Sequence, residues 1–161
     1  MRTRALLGAL IALSLTVTAC SPGEELTEQI LEGQDGVDDV EIDEDTGEVT
    51  VESEDGSFTV GGGEIPSDWP VDVPSGGNVV AVGQDASGGS LSMDFPGADY
   101  DELVAFYDNW TTSSGFEVTQ RIETTDPKGN GWTLQNGDDS YTISLNDGGE
   151  SVFLLIFVIE G

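Results

Sequence analysis

Histidine is absent from this chain of 161 residues, and cysteine occurs once, at position 20. The lack of histidine excludes histidine-based catalytic triads and the usual zinc sites, and a single cysteine excludes an internal disulfide. Bases are scarce as well, because four Lys and Arg residues face 32 Asp and Glu residues, which gives a formal net charge of -28. Such a charge repels phosphate backbones, so we expect no nucleic-acid partner.

The first 19 residues have the pattern of an export signal. Arg2 and Arg4 precede an uncharged run from Ala5 to Val17, and small residues follow it. A cationic start, a short apolar run and small residues are typical of a cleaved signal peptide. The run is too short to remain as a membrane-spanning helix.

The tetrapeptide Val17-Thr18-Ala19-Cys20 resembles the lipobox of bacterial lipoproteins. The resemblance implies that residues 1–19 are a lipoprotein signal peptide and that Cys20 becomes a diacylated N-terminus, palmitate included. Residues 20–24 would then form a lipidated tether. Two acyl chains anchor a protein stably, so we expect a location at the extracytoplasmic face of the cell membrane. The alternative is an ordinary secretory peptide in which Cys20 has no role.

Cleavage before Cys20 would make the mature chain still more acidic. Both leader arginines would be lost, which leaves Arg121 and Lys128 against 32 acids, a net charge of -30. Residues 21–63 contain 15 acids and no base. The acids alternate with apolar residues, as on a solvated face, and form no long acidic block.

Residues 25–60 are predicted to form a short helix followed by a three-strand meander. Between residues 25 and 32 the apolar residues are spaced as on one face of a helix. Three later pairs of apolar residues are spaced two apart, as in strands, and Asp55-Gly56 is typical of a hairpin turn. The pairs are Val40 and Ile42, Val49 and Val51, and Phe58 and Val60. So few apolar residues cannot stabilise such a unit alone.

Residues 64–161 are predicted to form an α+β domain. The proline-rich segment Ile65–Pro74 is expected to lie across the core as an extended strap, since proline presets the backbone. Asp99 is the expected N-cap of a helix and Gly115 its stop. The predicted order is β-β-α-β-β-β-β, an antiparallel sheet with one helix on a face, preceded by the small helix and the meander.

The last predicted strand, Val152–Ile159, is apolar at every position. This pattern predicts a strand that is buried on both faces. One helix covers only one face, so we expect residues 25–60 to dock on the other. A homodimer through this C-terminal strand region is the alternative.

A second resemblance covers most of the mature chain. It rests on Ile65-Pro66-Ser67-Asp68-Trp69-Pro70-Val71-Asp72-Val73-Pro74 and on the helix Tyr100–Tyr107, which ends in Leu103-Val104-Ala105-Phe106-Tyr107 where the family has a V-x-x-F-Y pattern. These segments resemble a small extracytoplasmic domain of bacterial, mostly actinobacterial, lipoproteins. Trp69 stands where that pattern has Phe. The resemblance implies a fold and a location, and it implies no activity.

Two kinds of chemistry remain open to so acidic a chain. A small hydrolase could use an Asp/Glu pair, although a general acid needs burial to raise its pKa and no acid lies in an apolar stretch. Calcium could bind acidic turns, with Asp43, Asp45 and Glu48 as candidates and Asp35, Asp38 and Asp39 as a second set. Neither set has the spacing of a twelve-residue calcium loop. Solvated turns without a metal are the expectation.

The sequence therefore predicts a protein that is not an enzyme. We expect a membrane-anchored lipoprotein of the cell envelope that acts as a non-catalytic binding or scaffolding module. No cofactor is expected, with calcium as the one candidate. The hydrolase with an Asp/Glu pair is the alternative.

Overall fold

The computed structural model describes residues 37–161, which form one antiparallel sheet and one helix. The nine strands are numbered in the order in which they occur along the chain. Their bounds are β1 (Asp39–Ile42), β2 (Val49–Ser53), β3 (Gly56–Val60), β4 (Asn78–Asp85), β5 (Gly88–Pro96), β6 (Glu117–Thr125), β7 (Lys128–Asn136), β8 (Asp139–Asp147) and β9 (Ser151–Ile159). The helix, α1, spans Tyr100–Ser113 between β5 and β6.

The strand order in the sheet is β1-β2-β3-β4-β5-β9-β8-β7-β6. Two meanders meet at the centre, where β9 pairs with β5 over nine residue pairs from Gly88↔Ile159 to Pro96↔Ser151. Helix α1 carries the chain from β5 to the far edge, and the second meander returns to the centre. The last strand is therefore one of the most central.

Helix α1 begins and ends where the sequence predicts. The Asp99 carboxylate accepts hydrogen bonds from the main-chain amides of Asp101 and Glu102, at 2.8 and 3.4 Å. The helix ends at Ser113, and Gly115 follows with φ +83°, a conformation that glycine adopts without strain. Both the N-cap and the stop are confirmed.

The apolar side chains of the strap pack against the core as predicted, but its backbone is not extended throughout, because it turns between Pro66 and Trp69, where the Trp69 amide donates to the Pro66 carbonyl at 3.0 Å. Val71 is fully buried, and Ile65, Trp69 and Val73 lie partly buried against the same cluster. The Trp69 ring comes so close to the sheet that a Cβ on Gly89 would lie 2.8 Å from it. Glycine at this position is what allows the indole to contact the backbone of β5.

The prediction of an α+β fold is wrong. The described chain is mainly β, with nine strands in one sheet and a single helix of 14 residues. The difference arises because β3 pairs with β4, from Gly56↔Asp85 to Val60↔Ala81, so the three-strand meander continues the same sheet. Hydropathy periodicity shows that strands exist but not which ones share main-chain hydrogen bonds.

The docking prediction for residues 25–60 is wrong for residues 37–60. These residues extend the sheet edge to edge and do not lie on a face of β9. The short helix expected at residues 25–32, the leader and the tether lie outside the described residues.

The prediction that the last strand is buried on both faces is also wrong. Burial alternates along β9, with Val152, Leu154, Ile156 and Val158 buried. The residues between them point to the opposite face and are partly or largely exposed. One face of the central strand is thus core, and the other is apolar and accessible.

Candidate binding face

The sheet has two faces of very different character. The inner face packs against α1 and the strap, and its core includes Leu91, Trp132, Ile143 and Ile156. The outer face is the opposite one. Since opposed residues of paired strands point to the same face, the strand registers assign each side chain to one of the two.

One transverse row of the outer face joins two aromatic residues. Phe58 of β3 is opposite Gly83 of β4, Gly83 is opposite Ser90 of β5, and Ser90 is opposite Phe157 of β9. Three strand spacings of about 4.8 Å place the two aromatic positions roughly 14 Å apart. The residues between them are small, so the surface of the sheet is raised at the two aromatic positions and recessed between them.

Most exposed large apolar side chains of the described chain lie on this outer face. Phe58, Phe153, Phe157 and Ile159 are 45%, 48%, 44% and 60% exposed. Val60 and Ile122 belong to the same face by register and are also exposed. Extended exposed apolar patches on soluble domains are typical of interaction sites.

A groove of about 560 Å³ occupies the low part of this face. Its floor contains Gly83 and Ser90, and its sides include Phe58, Phe157 and Ile159. The Phe58 ring leans inward, because a Cβ on Gly83 would lie only 2.8 Å from its Cδ2 atom. The missing side chain at Gly83 therefore lets an aromatic ring cover the floor.

Two acids stand at one end of the groove. Asp55 lies in the β2–β3 turn and Asp85 at the end of β4, and both line the groove. The Asp85 carboxylate accepts hydrogen bonds from the hydroxyl and the main-chain amide of Ser87, at 2.5 and 2.6 Å. These bonds hold the pKa of Asp85 below its ordinary value, so it is ionised at neutral pH.

Both basic residues of the described chain lie on the other side of the sheet. Arg121 stacks over the Trp132 ring at 4.1 Å and pairs with Asp108 of α1 at 3.3 Å. Lys128 pairs with Asp101 of α1 at 2.8 Å and lies 4.3 Å from the centre of the Tyr100 ring. The outer face of residues 37–161 is consequently left without a base.

The calcium candidates lie in an exposed turn between β1 and β2. The Asp43 carboxylate accepts hydrogen bonds from the main-chain amides of Asp45 and Thr46, which lowers its pKa. The Asp43 main-chain amide donates to the Glu48 carbonyl at 2.8 Å. Within the described part of the chain no three acidic, cysteine or histidine side chains converge to hold a metal ion. Calcium binding here stays a prediction from sequence.

The other candidates fall near this turn or outside the described region. Asp38 and Asp39 are exposed at the start of β1, whereas Asp35 and Cys20 lie outside the described residues. Among the carboxylates of residues 37–161, Asp94 of β5 is one of the least exposed: its side chain is half-buried, and its Oδ1 atom is inaccessible and has no hydrogen-bond partner in the described part of the chain.

The sequence reasoning missed the outer face. Apolar residues fill every position from Val152 to Ile159, so the sequence predicts a fully buried strand that includes Phe153, Phe157 and Ile159. A usable signal lay in the neighbouring strands, where Ser90, Ser92, Thr142 and Ser144 alternate with apolar residues. That alternation is typical of a sheet with one accessible face.

Among residues 37–161, no helix has the length and apolar character needed to span a bilayer. Comparisons of the chain with models of protein families, with curated proteins and with solved structures found no match.

Proposed function

We propose that the protein is a lipid-anchored module at the extracytoplasmic face of the cell membrane, and that it binds a partner of the envelope through its outer face. It has no catalytic role in this proposal. Cys20 is the attachment point of the lipid in this proposal.

The anchor is supported by the leader sequence. Arg2, Arg4, the uncharged run and the lipobox-like Val17–Cys20 occur in the order that export and lipidation require. The high negative charge supports projection from the surface, since like charges repel the domain from anionic lipid headgroups.

The exposed apolar outer face is the observation that carries the binding proposal. Phe157 and Ile159 are neighbours on the outer face of the central strand β9, and Phe153 lies on the same face beyond the half-buried Leu155. A central strand normally places such residues in a core, and exposing them is costly in water. A partner that covers these side chains would bury this apolar surface. Exposed apolar patches of this kind are typical of interaction sites.

Cell fractionation tests the anchor. The wild-type chain is expected in the membrane fraction, with a diacylated Cys20 detected by the mass of its N-terminal peptide. Cys20→Ala is expected to leave the membrane fraction. Retention of Cys20→Ala in the membrane would contradict the anchor.

Co-purification from detergent-solubilised envelopes tests the outer face. Phe157→Ser removes an exposed ring from this face, and Val118→Ser is its matched control, because Val118 is 43% exposed but lies opposite Leu134 on the other side of the sheet. Partners should be lost with Phe157→Ser and kept with Val118→Ser. Equal recovery with both variants would contradict binding through the outer face.

A further inference from the structure

We propose that the groove between Phe58 and Phe157 binds an extended polypeptide segment in which basic side chains alternate with apolar ones. This inference rests on the proposed function, since it names the class of partner for the same outer face. The occupant of the groove is a basic segment of another protein.

The acidic end of the groove is complementary in charge to a basic segment. Asp55 and Asp85 line one end of the groove, and both bases of the described chain are held at the helix on the inner face. Residues 37–161 carry 27 acids and two bases, a net charge of -25. A basic segment is attracted to this surface from a distance and finds carboxylates where it docks.

The separation of Phe58 and Phe157 matches the spacing of side chains in an extended chain. An extended chain advances about 3.4 Å per residue, so side chains four positions apart are separated by roughly 14 Å. The positions of Phe58 and Phe157, three strand spacings apart, have the same separation. Apolar side chains at alternate positions of such a segment can pack on the Phe58 ring, which covers Gly83, and on Ser90 beside Phe157. The intervening basic side chains leave the segment on its other side, and their long stems let them bend back to Asp55 and Asp85 at the end of the groove.

The net negative charge also disfavours a second copy of this chain as the occupant of the groove. Face-to-face contact between two copies would bring together two mature chains of net charge -30 each, with no base on the described outer faces to offset the repulsion. The same charge disfavours acidic peptides and anionic lipids. An apolar groove with an acidic end is matched by a partner that supplies both apolar contact and positive charge.

Fluorescence anisotropy with labelled nine-residue peptides tests the inference. The probes are a lysine–leucine alternating peptide, a lysine–serine alternating peptide and a glutamate–leucine alternating peptide. The protein is the full mature chain as cells produce it, held in phosphatidylcholine nanodiscs if it carries lipid. Empty nanodiscs correct for binding of the peptides to lipid.

The lysine–leucine peptide is expected to bind at least tenfold more tightly than either of the other probes. Its affinity should fall as salt is raised from 50 to 500 mM, because exposed charges are screened. Equal binding of the lysine–serine peptide would show attraction by charge alone and would overturn the inference.

Matched variants locate the binding site. Asp55→Asn combined with Asp85→Asn should weaken binding of the lysine–leucine peptide roughly three- to tenfold, in line with two exposed ion pairs. Glu117→Gln combined with Glu123→Gln changes the net charge equally on the distant edge strand β6 and should leave binding within twofold. Phe157→Ser should weaken binding about tenfold or more. Equal weakening by the two charge variants would overturn the inference.

Sedimentation velocity of the purified Cys20→Ala chain separates the remaining outcomes. A monomer is expected. A dimer that Phe157→Ser dissociates would identify a second copy as the occupant and overturn the inference. If no peptide binds but envelope partners still depend on Phe157, the inference fails and the proposed function stands. If neither depends on Phe157, both fail.

Discussion

Phe58 of β3 and Phe157 of β9 lie in one transverse row of the sheet, with only Gly83 and Ser90 between them. Both rings are nearly half exposed, and a groove of about 560 Å³ lies between them on the outer face. Two strands that are about 100 residues apart in sequence thus form the two sides of one surface. The relationship depends on the pairing of β3 with β4, which joins the acidic N-terminal strands to the main sheet.

Adjacent residues of β9 should differ sharply in their contribution to stability. Ile156→Ala is expected to lower the free energy of unfolding by about 2–5 kcal/mol, because it leaves a cavity in the core. Phe157→Ser is expected to cost less than about 1 kcal/mol, because its side chain is 44% exposed. Urea unfolding monitored by tryptophan fluorescence measures both. Equal losses would show that the outer face is covered in the native protein.

Arg121 should stabilise the contact between α1 and the sheet. It stacks on Trp132, pairs with Asp108 and donates a hydrogen bond to the side-chain oxygen of the buried Asn130. The ion pair is partly exposed and contributes little by itself, but the stacking and the amide of Asn130 add to it. Arg121→Met should therefore lower the free energy of unfolding by about 1–2 kcal/mol. Gln120→Ala, on the same strand, serves as the control and should change it by less than about 0.5 kcal/mol.

Tyr107 should make the fold sensitive to alkaline pH. Burial raises the pKa of the Tyr107 hydroxyl, and the carboxylate of Asp72 adds to this effect. A raised pKa in the folded state means that the contribution to stability is complete below about pH 10, the ordinary tyrosine value, and is lost as pH rises through the folded-state pKa. Stability should accordingly fall in thermal scans above pH 10.

Tyr107→Phe is the variant that isolates this group. Its hydroxyl has no hydrogen-bond partner within the described part of the chain, so removing it should cost little or nothing at pH 7. The variant should lose less stability than the wild type above pH 10. The fall will not vanish, because burial also raises the pKa of Tyr141. An identical pH profile for Tyr107→Phe and wild type would contradict the assignment.

The N-cap of α1 gives a further test. Asp99→Ala removes the carboxylate that accepts the amides of Asp101 and Glu102, and it should lower the free energy of unfolding by about 1 kcal/mol. Asp99→Asn keeps an acceptor at the same place and should recover most of the loss. Equal melting temperatures for Asp99→Ala and wild type would show that the cap does not limit stability.

Local features of the fold could be predicted from sequence because they depend on neighbouring residues. Asp99 as a cap, Gly115 as a stop and the apolar strap with Val71 are all determined within a few positions. The strands β2 and β3 follow from alternation in the same way, at Val49 and Val51 and at Phe58 and Val60. Periodicity and turn chemistry are sufficient for such assignments.

The residues of β9 alone do not reveal the outer face, and the groove on it depends on pairing between distant strands. Nothing within Val152–Ile159 distinguishes Ile156, which is fully buried, from Phe157, which is not. The difference comes from what lies opposite each face, and that is set by the position of α1 and the strap. For the same reason the sequence did not reveal that Phe58 and Phe157 share a groove.

Site-specific photo-crosslinking in intact cells tests the binding of a basic envelope partner most directly. A benzoylphenylalanine replaces Phe157 in one strain and Val118 in another, and the adducts are identified by mass spectrometry. We expect an adduct from position 157, none from position 118, and a crosslinked peptide rich in lysine or arginine and apolar residues. An adduct with a second copy of this chain, or equal adducts from both positions, would contradict the binding of such a partner.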